Sequence, residues 1–391
     1  MQGKKRSRIL AATLLSMGLC SAGWANVKVG FSGPLSGSQA VVGQEQLDGI
    51  NLALELLDNK LGGQPVTLIS EDDQVKPEVG VQIVRKFLEQ DKVDVMVGLG
   101  YSNVLMANLK RISDSGTIAV VTAGAPAPMA GDQCAPNMFS TLAQNDGFGE
   151  AAGKLLADKG YENVYVLVPN YQAGKDMVNG FKRFYKGTIA EEIYTQVGQS
   201  DYSTEVTQIQ LGNPDAVFVF LPGGMGVNFA KQAGQAGLLG KLPIYTTFTV
   251  DGVNLPALKD AAVGFVSLNV WDPSLESPEN QRFVQGFQEK YKRVPSGYAA
   301  SAFDAINLLD IAVGRLDGKL DDKKAFAAAV KQAGSELKSV RGNFHFDRNN
   351  MSIQNYYAFE TIKDGSEIRN KLVATPLTEH RDAYVSACPL V

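Results

Sequence analysis

The 391-residue sequence predicts an α/β protein of two similar halves, each a parallel β-sheet with helices on both faces. Three observations carry that prediction. The strand candidates are short, continuous apolar runs and not in/out alternations, as expected of strands buried on both sides. Segments with helical spacing of apolar residues alternate with those runs. The whole alternation then starts over at Phe148.

In the first half, residues 27–31 form a strand and 32–38 a Ser/Gly/Pro loop. Leu47, Ile50, Leu54 and Leu57 place a helix over 44–58, closed by Gly62-Gly63. A strand over 66–69, a helix over 79–88 and a continuous apolar strand over 93–99 follow. Leu105, Leu109 and Ile112 mark one further helix, and 118–122 a strand. In the second half, helices are expected over 148–159, 175–185 and 228–236, and strands over 164–168, 216–221, 244–247 and 262–270. Three more helices, 279–291, 299–316 and 323–332, precede a strand-like end over 356–363. Helices left over after two α/β halves imply a chain that crosses between lobes more than once.

Composition narrows the functional classes. With 45% apolar and 20% charged residues the chain is not disordered, and 3 Cys are too few for a disulfide-framed mini-protein. A net charge of −4 (37 basic, 41 acidic) lacks the basic surplus of a nucleic-acid binder.

Residues 1–25 read as a secretory signal peptide: Lys4, Lys5, Arg6 and Arg8, an apolar run over 9–20, then Gly23-Trp24-Ala25 as cleavage site. The run is too short for a comfortable permanent span. Cys20 raises a lipoprotein alternative, against which Leu19 is bulky where a small residue belongs. Cleavage after Ala25 leaves 366 residues with 33 basic and 41 acidic side chains, an exported protein of charge −8. Two cysteines remain, Cys134 and Cys388. In an oxidising compartment an even pair reads as one disulfide, the alternative being two free thiols.

Motifs for catalysis and metal binding are missing. The 2 histidines, His345 and His380, make no zinc spacing, and neither a Gly-x-Ser-x-Gly elbow nor a Walker A loop occurs. Gly98-Leu99-Gly100 begins like a dinucleotide fingerprint but lacks its third glycine. Glu71-Asp72-Asp73 reads as a solvated loop, since no oxygen-ligand pattern surrounds it. No metal or cofactor is expected, and the motifs nominate no catalytic nucleophile or base, which disfavours an enzyme without excluding one.

Ligands of open parallel sheets sit beyond the carboxyl ends of the strands. In the first half those loops present Ser32-Gly33-Pro34, Gly100-Tyr101-Ser102-Asn103 and Thr122-Ala123-Gly124-Ala125-Pro126. Ser102 at a helix start, with backbone donors at Gly124 and Ala125, suits an anion; the alternative for Ser102 is a plain N-cap. The second half offers Tyr171 as a pocket wall or a helix cover. It also offers Gly223-Gly224 as a small-residue floor, and Asp251 as a ligand partner or a turn cap.

These features, taken in order, resemble a known family. Phe31-Ser32-Gly33-Pro34 after the first strand, Val97-Gly98 to Ser102 before a helix, the 122–128 loop and Phe346-Asp347 near the end are similar to the branched-chain amino-acid-type (leucine-binding-protein-like) periplasmic binding proteins of ABC importers. The resemblance implies the type I periplasmic binding fold: α/β, two Rossmann-like lobes and three crossovers, near 140–141, 270–271 and 346–347. Lobe 1 would comprise 26–140 plus 272–346, and lobe 2 141–271 plus 347–391. It further implies a monomer that closes on a ligand and delivers it to a membrane permease, with no enzymatic activity. Ser102 matches the serine that holds the ligand carboxylate in amino-acid binders. Pro126 replaces a threonine of the clamp, Asp251 a longer glutamate that pairs the ammonium, and Ala173 and the Pro222-Gly223 stretch replace tyrosines. The altered site fits a carboxylate with no required ammonium. The 221–229 and 125–131 segments, the latter followed by a Cys, are similar to the subgroup that takes aromatic carboxylates. Tyr101 and Tyr171 would then flank the ring and Asp251 accept from a ring hydroxyl. A branched-chain amino acid is the alternative ligand, and a ligand sensor the alternative role.

Overall fold

The computed structural model describes residues 26–390; the segment 1–25, where the sequence reading expects a signal peptide and where Cys20 falls, lies outside them. The chain forms two α/β lobes. The first sheet runs in the order β2 (Lys60–Leu61), β3 (Gln64–Asp72), β1 (Val27–Gly33), β4 (Val95–Gly98), β5 (Ile118–Val121), β7 (Met138–Ser140). All its pairings are parallel except the β2–β3 hairpin. The second runs β10 (Thr188–Thr195), β9 (Asn163–Pro169), β11 (Ala216–Phe220), β12 (Ile244–Thr247), β13 (Val266–Asn269), β15 (Ser352–Asp364), β14 (His345–Phe346), with β16 (Glu367–His380) also on β15. It is parallel from β10 to β13 and antiparallel beyond. Two short strands, β6 (Gly124–Ala125) and β8 (Ala143–Gln144), pair in parallel between the lobes.

Continuous apolar runs became the central strands because every residue of β4, β5, β11 and β12 is buried. Helices α1 (Ala40–Leu56), α2 (Pro77–Lys86), α3 (Ser102–Met106), α4 (Leu109–Ser115) and α5 (Ala127–Ala130) follow the first sheet's strands. The second sheet carries α6 (Asn145–Asp158), α7 (Gln172–Phe184), α8 (Ser203–Gly212), α9 (Gly224–Gln235) and α10 (Leu255–Leu258). After β13 the chain returns to the first lobe. There α11 (Pro278–Tyr291) packs Phe283 and Phe287 with Trp271 and Leu52, while α12 (Gly297–Arg315) and α13 (Lys323–Ala333) bury Ile306, Leu309, Val313 and Val330 against Val29, Val97 and Val120. It crosses back to supply β14 to β16.

Several elements depart from the expected pattern, each for a local reason. The helix expected through Leu105, Leu109 and Ile112 is broken into α3 and α4 at Asn108, whose Nδ2 donates to the Val104 carbonyl at 2.9 Å. The strand expected over 262–270 shrinks to β13, because Gly264 takes φ +92°. Strands β10 and β16 and helix α8 have no counterpart in the predicted pattern. The strands run along exposed sheet edges with mixed polarity, Pro376 included, and α8 buries only Val206 and Ile209.

At the crossovers the chain is held by buried polar contacts. The Leu142 carbonyl accepts from Arg341 Nη1 (3.0 Å), Ser352 Oγ (3.1 Å) and Gln354 Nε2. Arg341 itself pairs with Asp304 of α12 at 2.9 Å, both side chains nearly inaccessible. Burial pushes the Asp304 carboxyl up and the Arg341 guanidinium down, and each charge offsets the loss of the other's hydration.

A disulfide joins Cys134, in the first lobe's β6–β7 connection, to Cys388, beyond the second lobe's last strand, with Cα atoms 5.6 Å apart. It closes a loop of 254 residues in sequence separation. The chain-entropy model assigns such a loop about 5 kcal/mol, a ceiling seldom reached. The double variant Cys134→Ser/Cys388→Ser should therefore lose about 2–5 kcal/mol in chemical denaturation. Reduction of the wild-type protein should reproduce that loss, and an unchanged midpoint in both would remove the bridge from the stability account.

Candidate ligand-binding cleft

The loops at the carboxyl ends of β1, β4, β11 and β12 face one another across the lobes, the place where open α/β sheets bind ligands. Helices α6 and α7 set the second lobe's contribution. They approach backbone to backbone: a Cβ on Gly149 would lie 2.0 Å from the Met177 carbonyl oxygen, and one on Gly180 2.1 Å from that of Asp146. The close packing brings Asn145 at the start of α6 onto Asp176 of α7, Nδ2 to Oδ2 at 3.0 Å. Asn145 Nδ2 also donates to Ser102 Oγ of the first lobe at 3.2 Å. Asp176 accepts the Ala127 N–H at 3.2 Å, again from the first lobe. Two independent hydrogen bonds thus tie the lobes at the cleft floor.

Ser102 is aimed by strain in the turn before it. Gly98 has φ +100°, and a Cβ there would lie 2.4 Å from the Ser32 carbonyl oxygen. Leu99 follows at φ +52°, an uncommon conformation for a non-glycine residue, and its N–H donates to Ser32 O at 2.7 Å. Phe248 takes φ +53° at the end of β12. Such left-handed residues concentrate at functional sites, where the surroundings hold them. The first N–H groups of α3 have no partner within the helix, which leaves donors beside the Ser102 hydroxyl. Gly124 is required by Asn145: a Cβ would lie 1.9 Å from its Oδ1.

These residues enclose a small cavity of about 20 Å³ between the lobes, lined among others by Tyr101, Ser102, Gly124, Asn145, Tyr171 and Tyr298. That is room for about one water, so a larger ligand enters only when the lobes part. Five rings run along the wall in sequence. Tyr101 stacks with Tyr171 and Tyr171 with Phe220, each at 6.2 Å between centroids. Phe220 meets Phe248 at 6.2 Å, and Phe248 meets Tyr298 at 5.0 Å. Burial pushes the phenols of Tyr101, Tyr171 and Tyr298 upward, so they remain neutral donors. The Tyr101 hydroxyl donates to Gln39 Oε1 at 2.5 Å. The hydroxyls of Tyr171 and Tyr298 hydrogen-bond to no described residue. Among the described residues, no charged side chain lines the cavity. Larger hollows of about 620 and 570 Å³ lie beside α11, outside this cleft, the first lined also by His345 and Glu379 of the second sheet.

Of the residues singled out in the sequence, Tyr101, Ser102, Gly124 and Tyr171 meet at this cavity. Ala125 sits one step away in β6, paired with Gln144. Gly223 and Gly224 form the bend into α9 and abut the first lobe instead of the cavity. Asp251 is buried outside the lining, in a second pocket of about 30 Å³ with Asn269, Trp271 and Asp272. Its Oδ1 accepts the Val253 N–H at 3.1 Å, the turn-capping geometry. Six cavity residues were not singled out in the sequence: Val42, Asn145, Met177, Phe220, Phe248 and Tyr298. A tyrosine directly after Ser296-Gly297, at the start of α12, was the only local hint for the last of them.

Two α/β sheets joined by crossovers, with a cavity between their strand ends, are the architecture of a solute-binding protein. The chain belongs to the periplasmic binding protein family, whose model matches residues 26–366. The Leu/Ile/Val-binding protein homolog 6 of Brucella melitensis biotype 1 is 26% identical over 382 residues, covering 95% of this chain and 97% of the relative. The chain is also similar to an ABC-transporter solute-binding protein of R. palustris solved in complex with benzoate. The two share 29% identity and a TM-score of 0.87 over 92% of this chain and 98% of that one. A second R. palustris solute-binding protein, in complex with 4-hydroxybenzoate, gives 25% identity and a TM-score of 0.83 over 90% and 96%.

The Asp251 carboxyl is pushed up to about 6 by burial, against the opposing hydrogen bonds of its turn. A carboxyl raised in the folded state binds its proton more tightly there than in the unfolded chain. Its contribution to stability therefore falls as pH rises from about 4 to 6 and stays unfavourable above. Asp251→Asn keeps the turn's acceptor without the charge. It should raise the melting temperature at pH 8, with the gain shrinking through pH 6 and gone near about pH 4; a gain independent of pH would assign the effect to packing.

Proposed function

We propose that the protein captures a small aromatic carboxylate in the cleft and presents it to the membrane permease of an ABC importer, binding without catalysis. The observation that carries this reading is the cavity lining: five aromatic rings around the Ser102–Asn145 pair and no charged side chain. A carboxylate would take hydrogen bonds from the Ser102 hydroxyl, the opening N–H groups of α3 and the backbone at Gly124-Ala125. Its ring would lie among Tyr101, Tyr171 and Phe220, displacing the contacts they make with one another. The benzoate and 4-hydroxybenzoate held by two similar solute-binding proteins support this choice of ligand class. The hinge would follow the crossovers, with 26–140 plus 272–346 moving against 141–271 plus 347–391.

The leucine-type alternative has the names of the curated relatives in its favour. Against it, an α-ammonium would sit in a lining without a carboxylate, and burying an unpaired charge is unfavourable by several kcal/mol. Asp251 is committed to its own turn.

Thermal-shift measurements with benzoate, 4-hydroxybenzoate, cinnamate, leucine and valine separate the readings. Aromatic acids should raise the melting point, by about 2.7 kcal/mol of stabilisation at a hundredfold excess over Kd, and the amino acids should not. Stabilisation by leucine or valine alone sinks the proposal. Ser102→Ala should weaken benzoate binding by about tenfold to a hundredfold in calorimetry, the loss of one hydrogen bond to a charged group, with the ligand-free melting point little changed.

A further inference from the structure

The bend that connects β11 to α9 is bare backbone, and what crowds it belongs to the opposite lobe. A Cβ on Gly224 would lie 2.8 Å from the Ser38 carbonyl oxygen and 3.4 Å from Ser38 Cβ, and its three nearest heavy atoms are all Ser38's. A Cβ on Gly223 would lie 2.3 Å from Gln39 Oε1 and 3.3 Å from Val42 Cγ2. Gly226, two residues on, is by contrast crowded by Leu221 and Thr249 of its own lobe. Ser38 and Gln39 form the 3₁₀ turn Gly37–Gln39 that hangs from the first sheet and leads into α1. The same segment completes the cavity: Val42 lines it, and Gln39 holds the hydroxyl of Tyr101, which also lines it.

We propose that Gly223 and Gly224 are positioning residues for lobe closure: only a backbone without side chains lets the 37–42 segment seat on the second lobe and complete the cavity wall. This rests on reading the cleft as a ligand site but not on the class of ligand. The two glycines differ in a way that makes the idea testable. Gly223 has φ +60° and ψ −135°, a region essentially reserved for glycine, so any substitution there strains the second lobe itself. Gly224 has no positive φ and opens a helix, where alanine is the better helix former. A side chain at 224 meets its obstacle only when the lobes close.

The test compares wild type with Gly224→Ala and Gly224→Val in three measurements. These are the ligand-free melting point, Kd by calorimetry with benzoate and with leucine, and the radius of gyration by X-ray scattering with and without ligand. Closure positioning predicts a ligand-free melting point that is unchanged or higher in Gly224→Ala. It predicts a Kd raised about tenfold in Gly224→Ala and about a hundredfold in Gly224→Val, roughly the penalty of a contact pushed out of van der Waals range. It also predicts that Gly224→Val does not compact on adding ligand. An unchanged Kd and normal compaction in Gly224→Val overturn the proposal. A lowered ligand-free melting point in both variants also overturns it, by making the pair part of the second lobe's own packing. If wild type binds leucine and not benzoate, only the aromatic-acid reading fails and the closure comparison proceeds with leucine. If it binds neither, the ligand-free radius of gyration decides: larger in Gly224→Val than in wild type supports the closure contact, and equal values overturn it.

Discussion

The Leu142 carbonyl lies where the chain first leaves one lobe for the other, and three side chains from the last crossover region converge on it. One of them, Arg341, is anchored by Asp304 of the first lobe's α12. A buried ion pair of this kind adds little net stability over an apolar replacement, because both charges lose their hydration. Its value is geometric. With the planar guanidinium held by two of its nitrogens on Asp304 and a third on Leu142, the direction in which the chain crosses is fixed. With the crossing fixed, the strand ends of the two lobes face one another. Everything in the cleft depends on that facing: Ser102 reaching Asn145, Tyr101 reaching Tyr171, and Ser38 reaching Gly224.

The polar groups of the cleft are neutral, with the charged ones set behind them. The charged residues nearest the floor stand behind neutral ones. Asp176 holds Asn145 in place, and its own carboxyl is pushed up to about 6 by burial and by the neighbouring Asp146. Asp146 in turn is bound by Arg183 and by the Tyr384 hydroxyl at 3.0 Å. The polar layer facing the cavity is therefore made of hydroxyls, an amide and peptide dipoles, held from behind by a charge network outside the lining. In the proposed function such fixed dipoles would need no reorganisation on binding, and the left-handed Leu99 and Phe248 hold the backbone at the two strand ends.

The fold was legible in the sequence because buried parallel strands leave a plain signal, an unbroken apolar run such as that of β11. Edge strands carry no such signal. In β10 and β16 the two sides of the strand see different solvents, and their composition approaches that of a loop. The site was half legible for a related reason. Tyr101, Ser102, Gly124 and Tyr171 lie on loops at strand ends, which the α/β topology marks as binding positions. Phe220 and Phe248 look like core residues, because they sit at the ends of apolar strands and only the meeting of the lobes makes them a wall. Tyr298 comes from a helix that follows the second α/β unit yet packs on the first lobe, a return that local periodicity does not encode. Asp251 lies on a strand-end loop, where it reads as a ligand partner or a turn cap, and the resemblance to amino-acid binders favoured the ligand; in the structure it caps its own turn.

The bridge between Cys134 and Cys388 has a topological meaning beyond its effect on the unfolded chain. The stretch it closes includes every passage of the chain from one lobe to the other. Residues 134–388 are thus a covalent ring. A single proteolytic cut anywhere in that ring, including in an exposed turn of either lobe, opens the ring without releasing a fragment. The two pieces stay joined through sulfur while the buried contacts at the crossovers hold them in register. Cleavage in a protease-rich compartment would nick this molecule long before it took it apart.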